Sequence, residues 1–361
     1  MTLISPEGKL WDARFVKMLK KLAPGTALRE GLENILRAKM GALVLMDDSP
    51  EALSIVDCGF ALNADYTPAN FYELAKMDGA LILSNDGKKI LYANAQLIPD
   101  PGIATTETGT RHRTAERAAK QTGSLVVAIS QRRNIITMYL GNLRYTLKDI
   151  TFILARANQA LHTLERYKTA LARSLDSLTV LELEDLVTLS DVADVLIKGE
   201  RVARIAAEIE QNIIELGNEG RLVSMQKEEV MPGNVGIWDL IQDYCVDAAP
   251  ATHEAVLGQL QALPEEGLDR YTVARLLGYG ITPSTLDVPV IPRGYRILRQ
   301  IPRLPNLVVD NLVNHFKTVT HLYRATPAEL DDVEGVGGAR ARAIRDGIKR
   351  LREQTIFNAP G

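Results

Sequence analysis

Cysteine is nearly absent from this 361-residue sequence: Cys58 and Cys245 are the only two, far apart and in no C-x-x-C pair. Neither a disulfide framework nor a cysteine metal site is expected, and a reducing cytosol is the default compartment. Long apolar runs are missing as well. The longest, such as Gly41 to Met46 and Ser124 to Ile129, have strand length and fall far short of the ~20 residues that a membrane-crossing helix needs. From Met1 to Leu22 the charges of Glu7, Lys9, Asp12, Lys17, Lys20 and Lys21 interrupt every apolar stretch, so no secretion signal is read there. The sequence also lacks a P-loop, an H-E-x-x-H helix and a G-x-S-x-G elbow. This sets aside the usual ATPase, metalloprotease and serine-hydrolase chemistries. The expectation is a cytoplasmic protein with no membrane partner.

What is present is an ordinary globular composition, 46% hydrophobic and 24% charged, with length for two or three domains. The net charge of −3 is unevenly spread. From Ile291 to the end there are 12 Lys/Arg against 7 Asp/Glu, a surplus of +5, so the chain before it carries −8. The basic character sits in the tail, where a polyanionic partner would find it.

Three patterns divide the chain, giving expected domains at 1–149, 150–287 and 288–361. Up to about Tyr145, helical segments (Phe15 to Leu22, Ala27 to Ala38, Phe71 to Lys76) alternate with the short apolar runs GALVLM, ALILS, KILYAN, SLVVAIS and NIITMYL, which predicts an α/β domain. From Lys148 to Leu181, Leu154, Leu161 and Leu175 form one row and Ala157, Leu164, Leu171 and Leu178 the next, a seven-residue repeat that predicts a long amphipathic helix. Helical spacing resumes from Val192 to Leu216, ends at Asn218-Glu219-Gly220, and continues in shorter pieces to the Pro-rich stretch Thr282 to Pro292. This middle part is either a spacer packed on itself or a spine holding the flanking domains apart. The last segment, with Pro302, Pro305 and the turn EGVGGAR between helical stretches, reads as paired helical hairpins.

The chemistry concentrates in three blocks of the first domain: Lys76-Met77-Asp78-Gly79-Ala80, Glu107-Thr108-Gly109-Thr110-Arg111-His112-Arg113-Thr114, and Ser130-Gln131-Arg132-Arg133. Gly109 and Thr110 precede the Ala-rich helical run TAERAAKQTG, which puts Thr110 to Thr114 at a helix start, where free N–H groups favour phosphate. Arg111 and Arg113 add multidentate cations, and Thr110 and Thr114 add hydroxyls, a set suited to a triphosphate. Arg-x-Arg at a helix start also serves as surface salt bridging, and Asp78 before Gly-Ala also fits a turn cap.

DGA followed some thirty residues later by RHR, within ETGTRHRTAER, resembles the paired signature of the diadenylate cyclase family. APGTALREGLENILRA, FYELAKMDGA, ILYANAQLIPDP and AKQTG are similar to its DNA-integrity-scanning branch, so the resemblance covers essentially the whole chain. It implies a multidomain α/β plus all-α protein: an N-terminal cyclase domain on a mixed sheet, a central helical spine and a C-terminal helix-hairpin-helix domain. The implied reaction joins two ATP into the second messenger cyclic di-AMP with Mg²⁺ or Mn²⁺. Asp78 would lie beside the ribose 3′-hydroxyl and the metal, with Gly79 allowing close approach of the nucleotide. Arg111, His112, Arg113 and Thr114 would cradle phosphates, with Thr110 beside them and Ser130 and Arg133 reaching the γ-phosphate or leaving pyrophosphate. His112 would be a phosphate donor, a metal ligand or a structural residue, and Leu97 either part of the adenine pocket or an ordinary core leucine. One DGA and one RHR block per chain mean that the two equivalent linkages require two facing copies, and the resemblance implies an octamer.

In the tail, Gly335, Gly337 and Gly338 permit a tight turn with exposed amides, and Arg340, Arg342, Arg345 and Lys349 follow on a helix expected from Ala339 to Leu351. Such contacts hold DNA without reading its sequence. The family implies branched or recombining DNA whose binding lowers cyclase activity, linking DNA damage to messenger level. In Ile301-Pro302-Arg303-Leu304-Pro305, prolines replace the glycines of a phosphate-binding hairpin, which favours a structural turn. Two rival readings are a DNA-binding structural protein with a regulatory or dead nucleotide site, and a transferase adding AMP to DNA or protein.

Overall fold

The computed structural model describes all residues except 1–2, 5–9, 232–235, 281 and 359–361. The chain forms two compact units, Met1–Leu161 with Ala207–Lys227, and His162–Ala206 with Glu228–Gly361.

In the first unit, a short pair β1 (Leu3–Ile4) and β2 (Leu10–Trp11) precedes α1 (Ala13–Lys21) and α2 (Ala27–Arg37). Asp12 and Thr26 start these helices, accepting hydrogen bonds from the backbone N–H of Phe15 and Arg29, which satisfies donors that a helix start leaves open. The rest of the unit is β3 (Ala42–Met46), α3 (Pro50–Leu53), β4 (Val56–Asp57), β5 (Phe60–Asp65), α4 (Pro68–Leu74), β6 (Ala80–Leu83), β7 (Lys89–Leu97), α5 (Thr110–Thr122), β8 (Leu125–Ser130), β9 (Ile135–Leu140) and β10 (Leu143–Leu147).

The strands build one mixed sheet in the order β10-β9-β8-β3-β6-β7, with β4 and β5 both pairing with β7. Only β3 and β6 run parallel; every other pairing in this sheet is antiparallel. Side chains of β3 alternate between two layers. Ala42, Val44 and Met46 pack with Phe15, Leu19, Leu32, Ile35 and Phe71 of α1, α2 and α4. Leu43 and Leu45 pack with Ala115, Ala118 and Ala119 of α5. Because both faces are covered, β3, β6 and β8 read as unbroken apolar runs. Each fully buried Leu or Ile here is worth about 1.5–3 kcal/mol. β5 has no such run: its residues FALNAD are largely exposed, Asn63 has φ +46°, and its register with β7 slips.

Two long helices, α6 (Ile150–Glu184) and α7 (Leu189–Leu216), are shared between the units. The repeat read along α6 is a burial pattern: Ala157, Leu164, Leu171 and Leu178 are each at most 5% exposed, whereas Leu154 and Leu175 are half-buried. After a 3₁₀ turn over Gly217–Gly220 comes α8 (Arg221–Val230), followed by α9 (Ile237–Tyr244), α10 (Pro250–Ala262), α11 (Arg270–Leu276), α12 (Tyr295–Arg299), α13 (Asn306–Phe316), α14 (Val319–Arg324), α15 (Pro327–Asp331) and α16 (Gly338–Asn358). No helix among the described residues is long and apolar enough to cross a membrane.

In the second unit, the buried Asp243 of α9 accepts from the backbone N–H of Gly294 (2.7 Å), Tyr295 (2.6 Å) and Arg296 (2.9 Å) at the start of α12. Burial, then the nearby Glu182, push its carboxyl up to about 7, against the pull of the three donors. Arg296, also buried, is paired with Glu182 and bonded to Thr179. The tail has its own core, in which Leu298, Ile301, Val309, Leu312, Leu330, Val336, Ala341 and Ile344 join both hairpins. Removing the side chain in Asp243→Ala is expected to destabilise this unit by about 3–5 kcal/mol, since three donors, two of them buried, lose their partner. Asp243→Asn, which keeps an acceptor, should cost less than half as much; a denaturant titration of the three proteins measures the difference.

Candidate active site

Antiparallel pairing brings the site together. Ala80, at the start of β6, stands opposite Ala95 near the end of β7, and Ala42, at the start of β3, stands opposite Ile129 near the end of β8. One end of the sheet therefore collects the turn before β6, the end of β7 and the turn after β8. There a cavity of about 900 Å³ is lined by Leu43, Phe60, Gly79, Ala80, Asn94, Leu97, Gly109, Thr110, Arg111, His112, Thr114, Ser130 and Arg132, among others. Asp78 is exposed in an adjoining cleft, which shares Leu43, Gly79, Ala80 and Asn94 with the cavity.

Gly79 must be glycine. Its φ is +96°, and a Cβ there would lie 2.7 Å from the carbonyl oxygen of Ala95. The close approach of this turn to β7 sets the cavity wall beside Asp78.

The N-cap of α5 is Gly109, which offers no side-chain acceptor, and the first turn holds no acidic residue. The partial positive charge of the helix start is therefore left for a ligand. Arg111 is exposed above it. Its position depends on Gly41, since a Cβ on Gly41 would fall 2.2 Å from Arg111 Nη1 and 2.9 Å from Cζ. Arg113 and Arg133 are exposed and outside the cavity lining, where Arg132 stands instead. Ser130 accepts from the backbone N–H of Arg133 at 3.3 Å, fixing the turn after β8. Leu97 lines the cavity while packed in the α5 core layer.

The segment before α5 is fastened along that helix. Glu116 Oε2 accepts from Thr105 Oγ1 at 2.5 Å and Thr106 N at 3.2 Å, while Arg117 and Lys120 donate to the carbonyls of Ile103 (2.9 Å) and Ala104 (2.8 Å). Burial pushes the Glu116 carboxyl up, but bonds from Lys120 and Thr105 outweigh it and leave it lowered. This places Glu107, which accepts from Tyr139 Oη (2.8 Å) and Arg144 Nε (2.6 Å). Tyr139 in turn meets His112 Nδ1 at 2.9 Å. Burial, with the charges of Arg133, Arg144 and Arg111 added to it, lowers the His112 pKa despite the opposing pull of Glu107. Its Nε2 is buried without a partner.

Glu107 and Arg132 stood in the sequence blocks without a role, and Gly41, Tyr139 and Arg144 were not singled out. They reach the site from other strands and turns, leaving no local signal. Among the described residues no group of three or more His, Cys, Asp or Glu side chains is arranged to hold a metal ion.

In the tail, Gly335 has φ +84° and Val336 is buried against the hairpin core, while Gly337 and Gly338 are exposed. Helix α16 begins at Gly338, one residue before the expected start, and runs on to Asn358. Arg340 donates to the carbonyl of Gly335 at 2.6 Å, tying the turn to the helix. Arg342 and Arg345 are exposed, and Lys349 faces Glu353 at 3.9 Å. The proline turn joins α12 to α13, with Arg303 at φ +62°.

Gly41→Ala is expected to keep the fold while displacing the Arg111 guanidinium. Affinity for ATP should fall about tenfold, or roughly 1.4 kcal/mol, by titration calorimetry with an unchanged unfolding midpoint.

Residues 29–143 match the family described as DisA bacterial checkpoint controller nucleotide-binding, and residues 147–286 match the DisA bacterial checkpoint controller linker region. The chain is 55% identical to a DNA integrity scanning protein DisA of Carboxydothermus hydrogenoformans, over 96% of this chain and 99% of that one. It is 52% identical to the protein of that name in Clostridium perfringens (96% and 98%) and 50% identical to the one in Acetivibrio thermocellus (96% and 97%). Among solved structures, a hypothetical membrane spanning protein from Bacillus cereus matches at 22% identity over 34% of this chain and 62% of that one, with a TM-score of 0.31. Both family matches and near full-length identity to these relatives lead to one conclusion: the chain belongs to the DisA family.

Proposed function

We propose that the chain is a diadenylate cyclase that joins two ATP into cyclic di-AMP and two pyrophosphates, and that it binds DNA through its C-terminal hairpins. What carries this reading is the meeting, at one cavity of about 900 Å³, of the Gly79 turn with the uncapped start of α5 bearing Thr110, Arg111, His112 and Thr114.

In each half-reaction the ribose 3′-oxygen of one ATP attacks the α-phosphorus of the other. A new P–O bond forms, the bond to pyrophosphate breaks, and the hydroxyl proton leaves through a nearby base to solvent. Asp78 is assigned to the 3′-hydroxyl, Gly79 to close backbone approach and Leu97 to the adenine. Thr110, Arg111, Arg113 and Thr114, with the first-turn amides, are assigned to the phosphates; Ser130 and Arg133 are assigned to the γ-phosphate or leaving pyrophosphate. A single exposed carboxylate suits a hard divalent cation that takes its other ligands from phosphates and water. Asp78 would hold Mg²⁺ or Mn²⁺, which supplies charge neutralisation and a more acidic hydroxyl. With one such site per chain, two cyclase domains must face each other across a twofold axis, within an octamer in the cytoplasm.

For DNA, the exposed amides of Gly337 and Gly338 and the side chains of Arg340, Arg342, Arg345 and Lys349 are assigned to backbone phosphates. The tail's surplus of cations supports this, with branched DNA lowering turnover.

Incubation with ATP and either metal, followed by chromatography and mass analysis, should give cyclic di-AMP with the wild type and at least a 100-fold loss, on the order of one acid–base group's contribution, in Asp78→Asn. Label from α-labelled ATP ending on DNA or protein instead would favour the AMP-transferase rival. In the tail, Arg342→Ala with Arg345→Ala should reduce the slope of log affinity against log salt by roughly 1–2, alike for different sequences. Turnover that stays unchanged at saturating branched DNA would remove the coupling.

A further inference from the structure

The hydrogen-bond chain behind His112 contains enough information to place its protons. Glu107 is a carboxylate, held ionised by Arg144 and Tyr139 against the upward push of burial, and it can only accept. Tyr139 has a single hydroxyl proton, and at 2.8 Å that proton is committed to Glu107 Oε1. The phenol oxygen therefore faces His112 Nδ1, 2.9 Å away, with a lone pair, and Nδ1 must carry the proton. A neutral imidazole protonated at Nδ1 has a bare Nε2, and His112 Nε2 is the nitrogen that is buried without a protein partner in a residue lining the cavity. An isolated imidazole side chain prefers the opposite form, so the protein is selecting this one.

We propose that Glu107 and Tyr139 are positioning residues for the reaction. Together they fix His112 in its Nδ1-protonated form and present Nε2 to the nucleotide as an acceptor, not as a donor to phosphate. The supporting parts are rigid. Tyr139 is 1% exposed and sits one residue before the end of β9, between β10 and β8 and opposite Val126 of β8. Its ring meets the imidazole edge-on at 6.2 Å, and Glu107 follows directly on the segment that Glu116, Arg117 and Lys120 fasten to α5. The acceptor suits an O–H or N–H donor of the bound nucleotide, and leaves the phosphates to Arg111, Thr110 and the first-turn amides. This inference deepens the cyclase reading and rests on it for its catalytic consequence, but not for the placement of the protons.

The test uses the full-length chain labelled with ¹⁵N at histidine, observed by solid-state NMR at neutral pH, with the His112→Gln variant identifying the His112 signals. Wild type is expected to show a protonated Nδ1 and a bare Nε2. Glu107→Ala frees the tyrosine proton to turn toward Nδ1 and should switch His112 to the Nε2-protonated form. Glu107→Gln, whose amide oxygen still accepts, should retain the wild-type pattern. In turnover, Tyr139→Phe and Glu107→Ala should lower kcat by roughly 10- to 100-fold with the ATP KM within about 3-fold, and each should cost less than about 2-fold when added to His112→Gln. Should Tyr139→Phe fold poorly, Glu107→Ala in the surface segment decides alone. A protonated Nε2 in wild type, an unmoved His112 signal in Glu107→Ala, or the same kcat loss in the His112→Gln background would overturn the proposal. Absence of cyclic di-AMP from wild type, with the NMR pattern as expected, would instead remove the cyclase reading and leave the proton placement standing.

Discussion

Burial of β3, β6 and β8 on both faces is the constraint from which the rest of the first unit follows. With α1, α2 and α4 against one side and α5 against the other, no face of the central strands is open to a ligand. Only the sheet's end remains, where backbone groups stop pairing with one another. The antiparallel partners of β3 and β6 terminate at that same end, so turns distant in sequence are delivered to one rim. The small side chains Ala115, Ala118 and Ala119 let α5 approach the sheet closely, and its uncapped start opens on the cavity.

At that rim, much of the organisation consists of what is left out. Gly79 and Gly41 keep space that a methyl group would fill, one for the passage of the backbone and one for a guanidinium. Gly109 withholds a cap, so the helix start keeps donors for a ligand. The carboxylates that are present are engaged: Glu116 with Lys120 and Thr105, and Glu107 with Arg144 and Tyr139. Negative charge is thus neutralised or turned inward where phosphates are to be received, while Asp78 remains exposed in the adjoining cleft.

How much of this was legible in the sequence depended on the range of the interaction. GALVLM, ALILS and SLVVAIS could be read as strands because two-sided burial writes itself as an apolar run, and the seven-residue row of α6 could be read because a helix repeats its face. FALNAD carries no such mark, since β5 is an exposed, irregular strand on β7 with Phe60 57% exposed. The start of α5 was legible because Gly109 to Thr114 act within one turn. Tyr139 and Arg144 act across 27 and 37 residues, through pairings whose register no local pattern specifies. Gly41 was invisible because its function is to make room. The proton pattern of His112 was hidden for the same reason, being set by a phenol two strands away from the helix that bears the imidazole.

The first unit is not one continuous stretch of chain. Its core includes Ile214, and Lys148 and Arg156 pair with Glu215 and Glu208, all on the returning part of α7. During synthesis, therefore, the last contacts of this unit become available only when the returning part of α7 has been made, after the intervening stretch of α6 and α7. The helices that carry the chain away from the sheet thus also bring it back to cover part of the same core.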